Sequence, residues 1–181
     1  MGGKIPKSNR RRANFADVDG DGLTELLIGF SLFDHDGAML WSHAPMSAAD
    51  HLDDSAIVDL DGDGRLEFAL AHDGHDAVVH NADGKVRFRV KMHHCQVILA
   101  GKFFADEPGR QLVMADAATG PARNRNMVIV NKDERELARY QTSGYPEVVD
   151  WPTRYGPQSI VVAQRPVKLD GRHRVVWTDP W

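Results

Sequence analysis

The chain has 181 residues, enough for one domain or for a piece of a longer repeat array. Its hydrophobic content of 42% can fill a substantial core, and with aromatics at 8% that core must lean on Val, Leu, Ile and Ala. A formal net charge of −4 gives no argument for a nucleic-acid partner, and none is expected. No apolar run approaches ~18 residues, so no transmembrane helix and no membrane partner are expected. The single cysteine, Cys95, excludes an intrachain disulfide framework.

Residues 1–11 form a short basic segment, reading KIPKSNRR from Lys4, and no apolar run of a signal peptide follows Met1. Next comes DVDGDGLTE, Asp17 to Glu25. Asp17, Asp19 and Asp21 stand at alternate positions before Gly22, a spacing that lets three carboxylates converge on one hard cation while the glycine turns the chain. The carbonyl of Leu23 and the carboxylate of Glu25 would nearly complete the six to eight oxygens that calcium takes. The pattern returns as DLDGDGRLE, with Asp59, Asp61, Asp63, the Arg65 carbonyl and Glu67. An EF-hand would need a bidentate Glu at position twelve, where this chain has Ile28 and Leu70. Calcium, one ion per loop, is therefore the expected cofactor. The alternative is a solvated acidic turn without metal.

The repeat is longer than the loop. LTELLIGF, SLF, the turn DHDG and AMLWS make the first unit; RLEFALA, DAVVH, the turn NADG and KVRFRV make the second. The short apolar runs flanking the loops read as buried strands, although RLEFALA alone could be helical. CQVILAGKF, QLVMA, NMVIV, the turn NKDE and RELARY form a third unit, whose loop carries Phe103, Ala105 and Pro108-Gly109 and should bind no calcium. PEVVDW, QSIVVAQ, the turn KLDG and RHRVVW form a weaker fourth. Four short strands in each ~40–50 residues predict an all-β fold, a β-propeller of four-stranded blades. The blades fall at about 12–46, 47–92, 93–143 and 144–181. A blade cannot bury both faces alone, so the remaining blades of a larger chain are expected as partners, with a four-bladed ring as the alternative.

Strands within a blade run antiparallel, so the acidic loops and the DHDG and NADG turns share one face. The opposite face should carry His43, His51, His72, His75, His93 and His94, joined by Trp41, Arg123, Arg125 and Tyr145. A pair of histidines beside one cysteine, at 93–95, is a poor zinc pattern. No Ser–His–Asp order, phosphate loop or dinucleotide fingerprint is present.

ANFADVDGDGLTELLIGF and SAIVDLDGDGRLEFALAH resemble FG-GAP or VCBS-type repeats, the calcium-loop blades of integrin-like propellers and of many secreted bacterial proteins. HHCQVILAGKFFADEPGRQLVMAD is similar to the propeller of polysaccharide lyases acting on rhamnogalacturonan and related acidic glycans. These resemblances imply an extracellular or periplasmic protein that binds or β-eliminatively cleaves an acidic polysaccharide. Such a reaction needs a cation to neutralise the uronate carboxylate, a base for the C5 proton and an acid for the leaving oxygen. Arg125 suits the first role through its fork geometry. His94, His72, His93 and Tyr145 suit the others, with His94 the first choice of base. A non-catalytic adhesion or scaffold propeller would use the same repeats.

Overall fold

The computed structural model describes residues 13–44, 50–73, 76–117, 125–142, 144–149, 159–162, 165–169 and 175–178. His75, Arg123 and the basic segment at residues 1–11 lie outside them. All regular structure among the described residues is β, in four four-stranded sheets. None of it is a helix long and apolar enough to cross a membrane.

The first sheet is β1 (Ala13–Ala16), β2 (Glu25–Ile28), β3 (Ser31–Phe33) and β4 (Met39–Ser42). The second is β5 (Leu52–Val58), β6 (Glu67–His72), β7 (Ala77–His80) and β8 (Val86–Val90). The third holds β9 (Cys95–Gly101), β10 (Gln111–Asp116), β11 (Arg125–Val130) and β12 (Glu136–Thr142). The fourth holds β13 (Pro146–Val149), β14 (Ser159–Val162), β15 (Arg165–Leu169) and β16 (Val175–Thr178). Each sheet is an antiparallel meander in sequence order. RLEFALA is thus a strand, not a helix: β6 is paired on both sides, and all six of its residues are buried. Two-sided burial removes the alternation that would have marked it as β.

Two compact units are formed, Met1–Val58 with Gly64–Gln96, and Asp59–Asp63 with Val97–Trp181. In the first, Leu27, Leu32, Leu52, Phe68 and Leu70 of the strands and Phe30 of the β2–β3 turn are buried together, with Trp41 and Ile57 at the margin. In the second, the core is Phe103, Phe104, Val113, Met127, Ile129 and Ile160.

The hairpin turns recur because each must reverse the chain between the third and fourth strands. In the first unit Asp34 accepts from Gly37 N at 2.9 Å and donates to the Ala38 carbonyl at 2.7 Å, and Asn81 and Gly84 repeat the 2.9 Å bond. Gly84 is required twice over. Its φ of +79° is left-handed, and a Cβ there would stand 2.6 Å from the Trp41 ring. Trp41 is a packing residue of this unit: it stacks on His80 at 5.6 Å and meets Phe68 edge-on at 5.1 Å.

The loop of the third sheet shows how a turn without the acidic pattern is held. Gln111, at the start of β10, accepts through Oε1 from Phe103 N at 2.7 Å and Phe104 N at 3.1 Å. Lys102 Nζ donates to the carbonyls of Gly109, at 2.9 Å, and Glu107. The loop therefore carries its own ammonium. Charge-assisted bonds of this kind contribute about 1.5–3 kcal/mol each. Replacing Lys102 by Met should lower unfolding stability by about that much, read from a urea midpoint, and added calcium should not restore it. An unchanged midpoint would show that the ammonium does not hold the loop.

Candidate functional site

In the first acidic loop short carboxylates take the backbone donors, an Asx-turn arrangement that aspartate favours. Asp17 accepts from Gly20 N at 2.7 Å through Oδ1 and from Gly22 N at 3.0 Å through Oδ2. Asp19 accepts from Asp21 N at 3.1 Å, and Asp21 from Leu23 N at 2.7 Å. Glu25 is fully buried at the start of β2, and its Oε2 accepts from Val18 N at 2.6 Å. Its Oε1 is buried with no hydrogen-bond partner. Asp17, Asp19 and Glu25 bring ligand oxygens within 4.8 Å of one another. The acidic cluster can hold a metal ion, and an orphaned buried carboxylate oxygen is what such a site has before its cation is counted. Gln111 occupies the same position in the third sheet with its carbonyl oxygen satisfied, so the residues fit the expected calcium in the first loop.

In the second loop Asp59 accepts from Gly62 N at 2.7 Å, and Asp61 from Asp63 N at 3.3 Å. The Leu60 carbonyl accepts from Arg110 N at 2.8 Å, which ties residues 59–63 to the loop of the third sheet. Arg65 is exposed there. Glu67 begins β6, and its Oε1 lies 3.2 Å from Arg87 Nη1.

The register of β5 with β6 fixes which ends of the strands meet. Val58 faces Glu67 at one end and Leu52 faces His72 at the other. The strands place His72 about 17 Å from the start of β6, five residues at ~3.3 Å each, with His51 beside it at the same end. At that far end lies a cluster of two imidazoles and two carboxylates. His51 Nε2 is 3.1 Å from Asp53 Oδ1, and its Nδ1 is 3.0 Å from Asp73 Oδ2. His94, just before β9, places Nε2 3.0 Å from Asp53 Oδ2 and 2.9 Å from Asp73 Oδ1. Ionised carboxylates are acceptors only. The His51 ring thus has a carboxylate oxygen at each of its two nitrogens. His51, Asp53 and Asp73 offer ligand atoms within 4.8 Å of one another. His51, Asp73 and His94 are each 21–28% exposed, so the cluster is open to solvent.

Among the other candidates, His93 is exposed. His72 is fully buried, with Nδ1 2.8 Å from Asp50 Oδ2 and its ring stacked on Phe30. In the second unit the Arg125 guanidinium lies 4.0 Å over the Tyr145 ring, a cation–π pair. The sequence reading missed Asp53 and Asp73. Their signal was present: HLDD and HD put carboxylates one and two residues from histidines at strand ends, and alternate residues of a strand share a face.

His43, His72 and His80 also meet in the first unit, His43 edge-on at 5.4 Å to His72 and 4.6 Å to His80. Burial, then the neighbouring His80 and His72, pushes His43 from 6.5 down to about 4. Burial also lowers His80. Arg89 opposes protonation of both, whereas Asp50 favours it for His43. The unfolded chain therefore binds more protons than the folded one below about 6.5. The contribution of these rings is complete above that pH and is lost as pH falls towards about 4. Chemical denaturation midpoints should fall over that window, and His43→Gln should flatten the slope. An equal slope in the variant would remove His43 from the effect.

No protein-family model matches the chain, and no curated protein matches it. Solved structures do. A rhamnogalacturonan lyase of Bacillus licheniformis, of the PL11 class, superposes with a TM-score of 0.66 at 16% identity, over 93% of this chain and 42% of that one. The exotype rhamnogalacturonan lyase YesX gives 0.61 at 15% identity, over 93% and 40%. BBS1N, solved in complex with ARL6DN, gives 0.64 at 8% identity, over 95% and 55%. Identities this low show likeness of fold. The chain spans less than half the length of either lyase structure.

Proposed function

We propose that this chain forms blades of a calcium-stabilised β-propeller, in a secreted protein that binds or β-eliminatively cleaves an acidic polysaccharide of the rhamnogalacturonan kind. The observation that carries the reading is the solvent-open cluster of His51, Asp53, Asp73 and His94, at the strand ends away from Glu67. The fold likeness to two rhamnogalacturonan lyases supports it.

A divalent cation held by His51, Asp53 and Asp73 would supply charge neutralisation for a uronate carboxylate. His94, oriented by Asp53 and Asp73, is the base for the C5 proton. As that proton leaves, its electron pair forms the C4–C5 double bond and the C4–O bond breaks. The leaving oxygen takes a proton from an acid. Arg125 and Tyr145 pair with each other in the second unit and suit a glycan contact of their own. His93 is exposed and suits glycan contact. His72, held by Asp50 in the core, suits support better than proton transfer.

The outer face of the first sheet supports the remaining blades as partners. Phe15, Leu26, Phe33 and Met39 are cross-strand neighbours in one row. Phe15 is 66% exposed and Met39 61%. A further blade would cover this apolar row.

The second reading is a non-catalytic binding propeller, favoured by the likeness to BBS1N, whose structure is that of a protein complex. Incubating the chain with rhamnogalacturonan and calcium separates the two. A lyase raises ultraviolet absorbance through its unsaturated product. Glycan retention without that absorbance supports the binding module, and the absence of both retention and absorbance overturns the polysaccharide reading.

A further inference from the structure

The two acidic loops are alike in sequence and different in their surroundings. In the first, the turn Asp34–Gly37 bends back so that His35 Nδ1 stands 3.7 Å from Asp21 Oδ2. Asp21, Glu25 and His35 each present a ligand atom, all within 4.8 Å of one another. Asp34 Oδ1 lies 2.7 Å from the same ring nitrogen; a neutral ring that donates from Nδ1 to Asp34 keeps its lone pair on Nε2 for a cation. Carboxylate–imidazole pairing alone would explain Asp34 and Asp21. It leaves Glu25 unexplained: the side chain is fully buried and its Oε1 has no partner.

The turn of the second sheet reads Asn81-Ala82-Asp83-Gly84, with Ala82 where the first has His35. Arg87 lies on Glu67 at 3.2 Å, and the matching residue of the first sheet, counted from the turn glycine, is Leu40. The first loop thus gains an imidazole, whereas the second gains a guanidinium on its buried glutamate.

We propose that the first loop is a mixed nitrogen and oxygen site, in which His35 joins Asp21 and Glu25 to take a borderline divalent ion of the zinc class in competition with calcium. The inference rests on the reading of the acidic loops as cation sites. Imidazole favours zinc-class ions, whereas carboxylate and carbonyl sets favour calcium and magnesium.

The test is titration calorimetry on the full, chelator-stripped chain with Zn2+ and separately with Ca2+. It uses a His51→Ala, His94→Ala background, which removes the other imidazole cluster. Adding His35→Ala should weaken Zn2+ binding by about ten- to a hundredfold, the scale of losing even an outer-shell partner, with Ca2+ affinity changed less than about threefold. His35→Gln should behave as His35→Ala does. Circular dichroism confirms the fold of each variant, which an exposed turn residue should not disturb. Calcium binding with Zn2+ affinity unchanged by both variants overturns this inference alone. Absence of calcium binding in every variant overturns the loop reading itself.

Discussion

Chelation should lower the melting temperature of this chain by several degrees. The unfolded chain has no site like the Asp17–Glu25 loop, so cation binding adds directly to folding stability. At a hundredfold excess over the dissociation constant, one site contributes about 2.7 kcal/mol. For a chain of this size that corresponds to roughly 5–10 °C. Glu25→Gln should remove most of the effect of the first loop. It neutralises a buried carboxylate whose Oε1 no protein donor satisfies, while the one amide oxygen of the glutamine can take the Val18 N bond that Oε2 now accepts. Calorimetric melts with and without excess EGTA measure both. A melt that does not move, in a chain that also takes up no calcium, removes calcium from the account and leaves two solvated acidic turns.

On the proposed lyase reading, replacing His94 by Ala should abolish detectable β-elimination. Loss of a positioned general base costs about a hundred- to ten-thousandfold in rate. His94 is the histidine whose Nε2 is held by two carboxylates, Asp53 and Asp73, while the ring stays 28% exposed. The variant should keep the calcium-dependent melting shift, because His94 sits at the far end of the strands from the acidic loops. Asp53→Asn should also lower the rate, because it frees the ring and weakens the cluster. Product formation undiminished in His94→Ala would remove the residue from the mechanism and direct attention to His93. Lost activity together with a lost calcium shift would mean that the fold had failed.

Much of the architecture was legible in the residues. The acidic loops, the DHDG and NADG turns and the short branched apolar runs marked strand ends, because turn chemistry is local and needs particular side chains at particular positions. The first-sheet meander follows from such signals alone. β6 was ambiguous, since a strand buried on both faces loses its alternation, and only its pairing with β5 and β7 decided it.

The candidate site was legible as histidines at strand ends and not in its membership. Histidines at strand ends could be counted, but nothing local separates His72, closed in the core against Phe30, from His51, open beside two carboxylates. That distinction depends on which residues of other strands arrive beside each ring.

The sequence by itself determined the acidic loops, their spacing and the antiparallel strand units between them. Each of these is set by contacts within a few residues. Only the tertiary structure decided that Asp53 and Asp73 meet His51 and His94, that Glu25 is buried with an oxygen unsatisfied, and that Lys102 stands in the loop that lacks the acidic pattern. The meeting of these groups and the burial of Glu25 depend on how strands register and sheets pack, and packing brings together residues that chain order keeps apart.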